Sequence, residues 1–198
     1  MSSDNSGRPV AAGGEEPYLN LVVEKVFRLD ALIGIGTTGR VYRATQLGLN
    51  RQCAVKVLHR HLMLTPTVRD RFHREARLLA RLTHPGIVRV LASGELPIVN
   101  ADVGGEAYLV SEYLEGSTVR EWLLQKGRFS LVEAIRVVLA VADAVAEAHC
   151  NRIVHRDLKP ENLMSIACGN GTFRHVVLDF GLARALDREA EPLTREGA

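Results

Sequence analysis

Hydrophobic and polar residues alternate through the first half of the chain with the two-residue period of β-strands. Apolar runs interrupted by glycines from Val26 to Ala44 predict a strand, a tight loop and a second strand. Alternation from Gln52 to Leu58 predicts a third strand, and Ile87 to Ala92 and Ala107 to Glu112 predict two more. The third strand would carry Cys53, Val55 and Val57 on one face and Ala54, Lys56 and Leu58 on the other.

Helical periodicity appears in three segments. Pro66 to Leu82 has the spacing of one long helix, and Thr118 to Gln125 has that of a short one. A third helix is predicted from Leu131 to about His149, because Ser130 followed by Glu133 three residues later has the pattern of a capping box. The first half is therefore predicted to be a small, mostly antiparallel sheet with one long helix.

The character of the sequence changes after Gly116, from β-rich to helical. Short strands are predicted at Arg152 to Val154, Leu163 to Ile166 and Phe173 to Leu178, with Gly169-Asn170-Gly171 as the turn between the last two. The simplest organisation is an α+β fold with two lobes. It divides the chain into a leader at 1–26, a β-rich lobe at 27–115 and a helical lobe at 116–198.

Composition and charge narrow the functional classes. The 198 residues are 46% hydrophobic and 24% charged, as in an ordinary globular protein. A formal net charge of +2 does not suggest binding to nucleic acid or to a membrane surface. The odd number of cysteines, three, predicts reduced thiols of a cytoplasmic protein rather than a disulfide framework. Met1 to Pro17 are polar and contain no apolar run of signal-peptide length, and the leader at 1–26 is expected to be disordered.

A glycine-rich segment is the first candidate for chemistry. Gly34, Gly36 and Gly39, followed by Val41, have the spacing G-x-G-x-x-G-x-V. Glycines let the backbone lie close to phosphate oxygens where a Cβ would collide, although an ordinary turn has the same composition. A Rossmann phosphate loop would require a helix directly after the glycines. The strand pattern from Arg40 to Ala44 argues against that alternative.

Lys56 and Glu75 form a candidate ion pair. On the predicted strand, Ala54 and Lys56 share a face and so could contact the same ligand. An edge-strand lysine that points to solvent would have the same sequence pattern. On the long helix, Glu75 falls within the apolar stripe that should face the core. A buried carboxylate without a partner is unfavourable, so Lys56 is the expected partner.

The most specific signal lies near the end of the sequence. His155-Arg156-Asp157 is followed by Asn162 at the spacing H-R-D-x-x-x-x-N, and Asp179-Phe180-Gly181 follows as D-F-G. Each motif comes after an apolar β-type segment, which would place both aspartates on loops at strand ends. Any one of these pieces could be a polar surface turn. Their joint occurrence in this order points to phosphoryl transfer.

With these residues in view, the chain resembles the protein kinase superfamily from about Phe27 onwards. Lys159, two residues after Asp157, resembles the serine/threonine branch rather than the tyrosine branch. The segments Tyr108 to Gly116 and Ile153 to Asn162 resemble bacterial eukaryotic-like kinases. The resemblance implies a bilobal kinase fold. It also implies transfer of the γ-phosphoryl group of ATP to serine or threonine hydroxyls of a protein substrate.

The resemblance also implies which residues bind ATP. The loop from Gly34 to Val41 would cover the phosphates, while Lys56, held by Glu75, would bind the α- and β-phosphates. The adenine ring would lie between the side chains of Val41, Ala54 and Met164. Backbone hydrogen bonds to its edge would come from Glu112 and Leu114. The small side chain of Ser111 would leave a roomy back pocket.

For the transfer itself, the resemblance assigns four residues and one regulatory contact. Asp157 would accept or orient the proton of the substrate hydroxyl, and Lys159 would neutralise charge on the transferring group. Asn162 and Asp179 would hold Mg²⁺. Arg156 would pair with a phosphate on the activation loop.

The sequence after D-F-G departs from the kinase pattern. Leu182 to Ala198 resembles only the start of an activation loop, and no A-P-E motif follows. The helix at 131–149 is apolar around most of its circumference, so we expect it to expose a large apolar patch in this chain alone. A nucleotide-binding module without activity, or a truncated kinase fragment, is therefore the alternative function. A small-molecule kinase of related fold fits Lys159-Pro160-Glu161-Asn162 less well.

Overall fold

The computed structural model describes residues 16–63, 65–98, 104–169 and 171–180. A six-stranded antiparallel sheet forms the first half, in the order β1-β2-β3-β4-β6-β5. Its strands are β1 (Val22–Val23), β2 (Phe27–Ile35), β3 (Gly39–Gln46), β4 (Arg51–Leu58), β5 (Val90–Glu95) and β6 (Ala107–Glu112). β6 has its predicted bounds, β2 to β5 differ from prediction by a few residues, and β1 was not predicted.

The two faces of β4 are as predicted. Cys53, Val55 and Val57 belong to one hydrophobic cluster, where none of them is more than 3% exposed. Ala54 and Lys56 face the opposite side of the sheet and line a cleft. The strand therefore presents an apolar face to the core and the cation of Lys56 to the cleft, because successive side chains point to opposite faces.

The segment before β2 is ordered from residue 16, so the prediction of a disordered leader up to residue 26 is wrong for 16–26. Residues 1–15 lie outside the described residues. Tyr18 and Val23 are 5% and 0% exposed, and β1 pairs with β2. The Tyr42 hydroxyl donates a hydrogen bond of 2.9 Å to Glu16 Oε2. The segment covers the outer face of the sheet and contributes Tyr18 and Val23 to the hydrophobic cluster there.

Helix α1 (Pro66–Leu79) is shorter than the predicted helix. Its N-cap Thr65 accepts a hydrogen bond from the backbone N–H of Val68, and Pro66 occupies the first turn, where its missing N–H is not needed. The apolar stripe is buried against the sheet and consists of Val68, Phe72, Ala76 and Leu79. The stripe orients α1 so that its opposite, arginine-rich face is towards solvent.

Helices α2 (Val119–Lys126) and α3 (Leu131–Cys150) both begin with a complete capping box. In α3, the Ser130 N–H donates to Glu133 Oε2 at 2.8 Å, and the Glu133 N–H donates to Ser130 Oγ at 3.2 Å. These reciprocal bonds satisfy two of the N–H groups that a helix start leaves unpaired. The predicted start of α3 at residue 131 is confirmed.

A second, three-stranded sheet follows, in the order β7 (Ser117–Thr118), β8 (Leu163–Cys168), β9 (Thr172–Val177). The predicted hairpin between the last two is confirmed, although Asn170 of its turn lies outside the described residues. The predicted strand at 152–154 is wrong. Arg152 has a left-handed φ of 60°, and the Ile153 N–H turns back to the carbonyl of Ala148 at 2.9 Å. The helix end therefore uses a backbone group that a strand would need.

The segment between α1 and β5 joins the two sheets. The Val88 N–H donates to Val177 O at 3.0 Å, and the Val177 N–H donates to Gly86 O at 2.8 Å. The Arg174 guanidinium adds a bond of 2.8 Å to the carbonyl of Pro85. The strand that leads to Asp179 is thus fixed to the chain that follows α1.

Helix α3 has one buried and one exposed apolar face. Val137, Val141, Ala144 and Ala148 are the buried residues. On the other face, Leu131, Val138 and Leu139 are 76%, 65% and 63% exposed. Within the part of the chain that the structure describes, the expected exposed apolar patch is present. In the same part, no helix is long and apolar enough to cross a membrane.

Candidate nucleotide-binding and catalytic site

A cleft lies between the six-stranded sheet and the elements that follow it. Its two adjoining cavities have volumes of about 520 Å³ each, a size typical of small-molecule sites. One includes Val41, Ala54, Ser111, Glu112, Leu114 and Met164. The other includes Lys56, Asp157, Lys159, Asn162 and Asp179. Of the residues predicted from the sequence to bind ATP or metal or to catalyse transfer, only Glu75 lies outside this lining.

The three glycines of the loop between β2 and β3 differ in what surrounds them. A Cβ added to Gly39 would collide with the carbonyl oxygen of Val57, so the close approach of β3 and β4 requires glycine there. A Cβ at Gly34 would meet no atom within 4 Å, and one at Gly36 would meet only the Gly39 carbonyl, at 3.9 Å. Gly39 is thus explained by the fold, whereas Gly34 and Gly36 leave open space beside the cleft.

The segment after β6 borders the apolar cavity. The Glu112 N–H donates to Arg89 O at 3.0 Å, and the Arg89 N–H donates to Glu112 Oε1 at 2.9 Å. Since the Glu112 N–H is occupied, only the carbonyl oxygen of this residue could contact a ligand in the plane of the segment. The side chains of Ala54 and Met164 line this same cavity.

The loop that follows α3 holds Asp157 between two side chains. Lys159 Nζ lies 2.8 Å from Asp157 Oδ2. Asn162 Nδ2 donates to the carbonyl oxygen of Asp157 at 2.8 Å and to its Oδ2 at 3.1 Å. The hydrogen bond from Lys159 is the main cause that lowers the pKa of Asp157, with a smaller contribution from Asn162. Asp157 is therefore ionised at neutral pH and can accept a hydrogen bond from a hydroxyl.

His155 joins the loop that holds Asp157 to the segment that leads to Asp179. Its ring is 3% exposed, and Nε2 donates to Leu178 O at 2.8 Å while Nδ1 accepts from the Asp157 N–H at 3.3 Å. Burial lowers the pKa of His155, which fits the neutral tautomer that these two bonds require. The imidazole also contacts the Phe180 ring at 4.6 Å between centroids. His155 thus fixes the spacing of Asp157 and Asp179, a role not predicted from the sequence.

The expected ion pair between Lys56 and Glu75 is absent, and that prediction is wrong. Lys56 Nζ lies 2.8 Å from Asp179 Oδ2. Glu75 Oε1 instead faces Arg156 Nη1 at 3.8 Å, beside a separate cavity of about 70 Å³. Burial is the largest influence on the Glu75 carboxyl and raises its pKa, against the opposing attraction of Arg156.

The partner of Glu75 was predicted wrongly because helical periodicity determines the face of α1 on which Glu75 lies, but not which of two cations it contacts. Two positive φ angles contribute to the outcome, 63° at Arg156 and 47° at Asp179. These left-handed turns aim the Arg156 side chain at α1 and the Asp179 carboxylate at Lys56. No sequence pattern signals them, since both residues are non-glycine and rarely adopt this conformation.

The residues that would hold a divalent cation suit Mg²⁺ with phosphate ligands. Asn162 is 7% exposed, and because its amide nitrogen is bonded twice to Asp157, its Oδ1 is turned away from that residue. Asn162 and Asp179 line the same cavity. Within the described ranges, no group of three His, Cys, Asp or Glu side chains could hold a metal by itself. A carboxylate and an amide oxygen, completed by phosphate and water, match the ligand preference of Mg²⁺.

Comparison with known proteins agrees with this site. The family model of the protein kinase domain matches residues 27–198. The chain is 36% identical over 180 residues to the probable serine/threonine-protein kinase PknB of Corynebacterium glutamicum, covering 91% of this chain and 27% of that protein. It is 35% identical over 189 residues to the serine/threonine-protein kinase pkn3 of Myxococcus xanthus, covering 92% and 32%.

A solved structure has the same fold. The crystal structure of the Mycobacterium tuberculosis PknI kinase domain superposes with a TM-score of 0.72 at 26% identity, covering 87% of this chain and 69% of that one. The chain thus belongs to the protein kinase family, and its curated relatives named above are serine/threonine kinases. It spans about a third or less of the length of those two relatives.

Proposed function

We propose that the chain binds ATP with Mg²⁺ and transfers the γ-phosphoryl group to serine or threonine hydroxyls of a protein. The observation that carries this proposal is the single cavity that contains Lys56, Asp157, Lys159, Asn162 and Asp179. Two cations, two carboxylates and an amide in one cleft suit a reaction that depends on positioning and charge stabilisation. A cytoplasmic location is proposed with it, because that is where ATP is available.

Each side chain has a role that fits its contacts. Asp157, ionised and directed by Lys159 and Asn162, would orient the attacking hydroxyl. Lys159 would then be available to the transferring group as negative charge moves onto it. Bound Mg²⁺ would neutralise phosphate charge, with Asn162 and Asp179 as its protein ligands. Val41, Ala54 and Met164 would enclose the adenine, and its edge would face the Glu112 carbonyl and Leu114.

Transfer would require a rearrangement of two ion pairs. Protein kinases need the strand lysine paired with the helix glutamate, and the D-F-G aspartate on the metal. Here Lys56 is paired with Asp179, and Glu75 with Arg156. Binding of Mg²⁺ by Asp179 would release Lys56, and exchange of Glu75 from Arg156 to Lys56 would complete the rearrangement. The arrangement described is therefore proposed to precede the one that transfers phosphate.

The test is phosphate transfer from labelled ATP with Mg²⁺, with and without a generic basic protein as substrate. Asp157→Asn should lower the transfer rate at least ~100-fold, the usual range for losing a group that handles the proton. Asp70→Asn, an exposed carboxylate on α1, is the matched control and should leave the rate unchanged. ATP-dependent thermal stabilisation without transfer would support a binding module instead. A chain that shows neither ATP-dependent stabilisation nor phosphate transfer would contradict the proposal altogether.

A further inference from the structure

The glycine-rich loop is attached to His59, a residue just after β4 that does not line the cleft. The His59 N–H donates to the carbonyl of Thr38 at 3.0 Å. Its imidazole Nε2 lies 3.0 Å from the carbonyl oxygen of Gly36. A carbonyl only accepts, so Nε2 carries the proton and donates. One residue thus holds the tip of the loop at two carbonyl groups that lie two residues apart.

The tip is also closed by a hydrogen bond of its own. The Gly36 N–H donates to Gly39 O at 2.8 Å, which closes the hairpin. Gly34 and Gly36 meet nothing nearer than 3.9 Å on the side where a Cβ would lie, so side-chain packing does not restrain them. A loop of glycines loses more conformational entropy on ordering than any other sequence. An external hydrogen bond at Gly36 therefore has a larger influence on the loop than it would have within a packed strand.

The direction of this bond matters for phosphate binding. In a trans peptide, the carbonyl and the following N–H point in opposite directions, and no cis peptide occurs in the described residues. Holding the Gly36 carbonyl on His59 therefore turns the Thr37 N–H away from His59. Thr37 lines the charged cavity together with Lys56. A backbone N–H fixed in this way is the type of donor that cradles phosphate oxygens.

We propose that His59 is a positioning residue for the nucleotide phosphates, acting through the Gly36 carbonyl on the glycine-rich loop. This inference rests on the proposed ATP binding. It concerns the phosphate end of the nucleotide alone, because no adenine-side residue contacts His59 among the described hydrogen bonds. The exposed His61 ring stacks on His59 at 5.6 Å with an interplanar angle of 17° and supports its orientation.

Two variants separate the hydrogen bond from the ring. His59→Phe keeps a ring to stack on His61 but loses the donor, whereas His59→Gln keeps an amide donor and loses the ring. His61→Ala is the control for stacking. Dissociation constants would be measured for ATP with Mg²⁺ and for adenosine, together with amide hydrogen exchange of residues 36–39 in the ligand-free chain.

We expect His59→Phe to raise the Kd for ATP about 2- to 10-fold, the range for one neutral hydrogen bond, and to leave the Kd for adenosine unchanged. Amide exchange at the tip should become faster. His59→Gln should restore most of the ATP affinity. Equal losses for ATP and adenosine, or an unchanged Kd for ATP in His59→Phe, would overturn the inference alone. A wild-type chain that binds neither ligand would overturn the proposed function and this inference together.

Discussion

The six-stranded sheet lines the cleft, whereas helix α3 precedes the loop that contributes Asp157 to it, and the surfaces of the two are covered differently. One face of the sheet is packed by the segment that begins at residue 16, and the other is packed by α1 beside the part that lines the cleft. On α3, Val141 is 9% exposed while its neighbour Leu139 is 63% exposed. The strands of the sheet are therefore supported from both sides, whereas the helix that leads into the loop carrying Asp157 is supported from one. Substitutions should have graded effects that follow this difference.

The largest effect is expected where the sheet leaves no room. Gly39→Ala would force a methyl group against the Val57 carbonyl and should lower the free energy of unfolding by about 3 kcal/mol. Gly36→Ala, in the same loop, has open space and should change it by less than about 0.5 kcal/mol. Urea unfolding of both variants would measure the contrast. Equal destabilisation by the two would mean that the loop is packed differently.

An intermediate effect is expected on α3. Val141→Ala removes two buried methyl groups and should cost about 1.5 kcal/mol of unfolding free energy. Leu139→Ala, two residues away, should stay within about 0.5 kcal/mol because its side chain is already in contact with water. Thermal and urea unfolding would be compared with the wild type. A cost at Leu139 as large as at Val141 would indicate that its exposed face is covered in solution.

The smallest effect concerns the capping box of α3. Hydrogen bonds from the Ser130 N–H and hydroxyl, with a further one from Lys126, lower the pKa of Glu133 from 4.5 to about 2. Because the folded-state pKa lies below the unfolded one, this stabilisation is present above pH 4.5 and is lost as pH falls to about 2. Glu133→Gln should thus lower the Tm slightly at pH 7 and have no effect at pH 2.

The control for this pH dependence is Glu115→Gln, an exposed glutamate that caps no helix. Its Tm should follow that of the wild type from pH 7 to pH 2. A difference between wild type and Glu133→Gln that persists undiminished at pH 2 would exclude ionisation of Glu133 as its cause.

Features governed by local chemistry were predictable from the sequence. The start of α3 followed from Ser130 and Glu133, since a capping box involves only residues three apart. The faces of β4 followed from strict alternation between Cys53 and Leu58. The cleft lining was anticipated for the same reason: the motifs that carry it are short, and each follows its own strand.

Features governed by the relative placement of elements were not predictable. Glu75 was correctly placed on the inward side of α1, but its partner depends on how far the helix lies from the sheet. Tyr18 packs edge-on against Tyr42, a residue of β3 that is distant from it in sequence. His59 was missed because its functional bond goes to a backbone carbonyl, Gly36 O, which every residue type offers equally. The only signal in the sequence was the presence of two histidines, His59 and His61, directly after β4.

The main-chain bonds between Gly86, Val88 and Val177 fix the segment that follows the C-terminal end of α1. That end of the helix is therefore expected to move less than its N-terminal end. Glu75 lies about 6 Å from Leu79 along the helix and Pro66 about 20 Å, at roughly 1.5 Å per residue. If α1 turns as a lever about this point, the first turn travels about three times as far as the Glu75 carboxylate. A small movement of Glu75 towards Lys56 would therefore be accompanied by a larger displacement at Thr65. A spectroscopic label placed there would detect the rotation of α1 with the greatest amplitude.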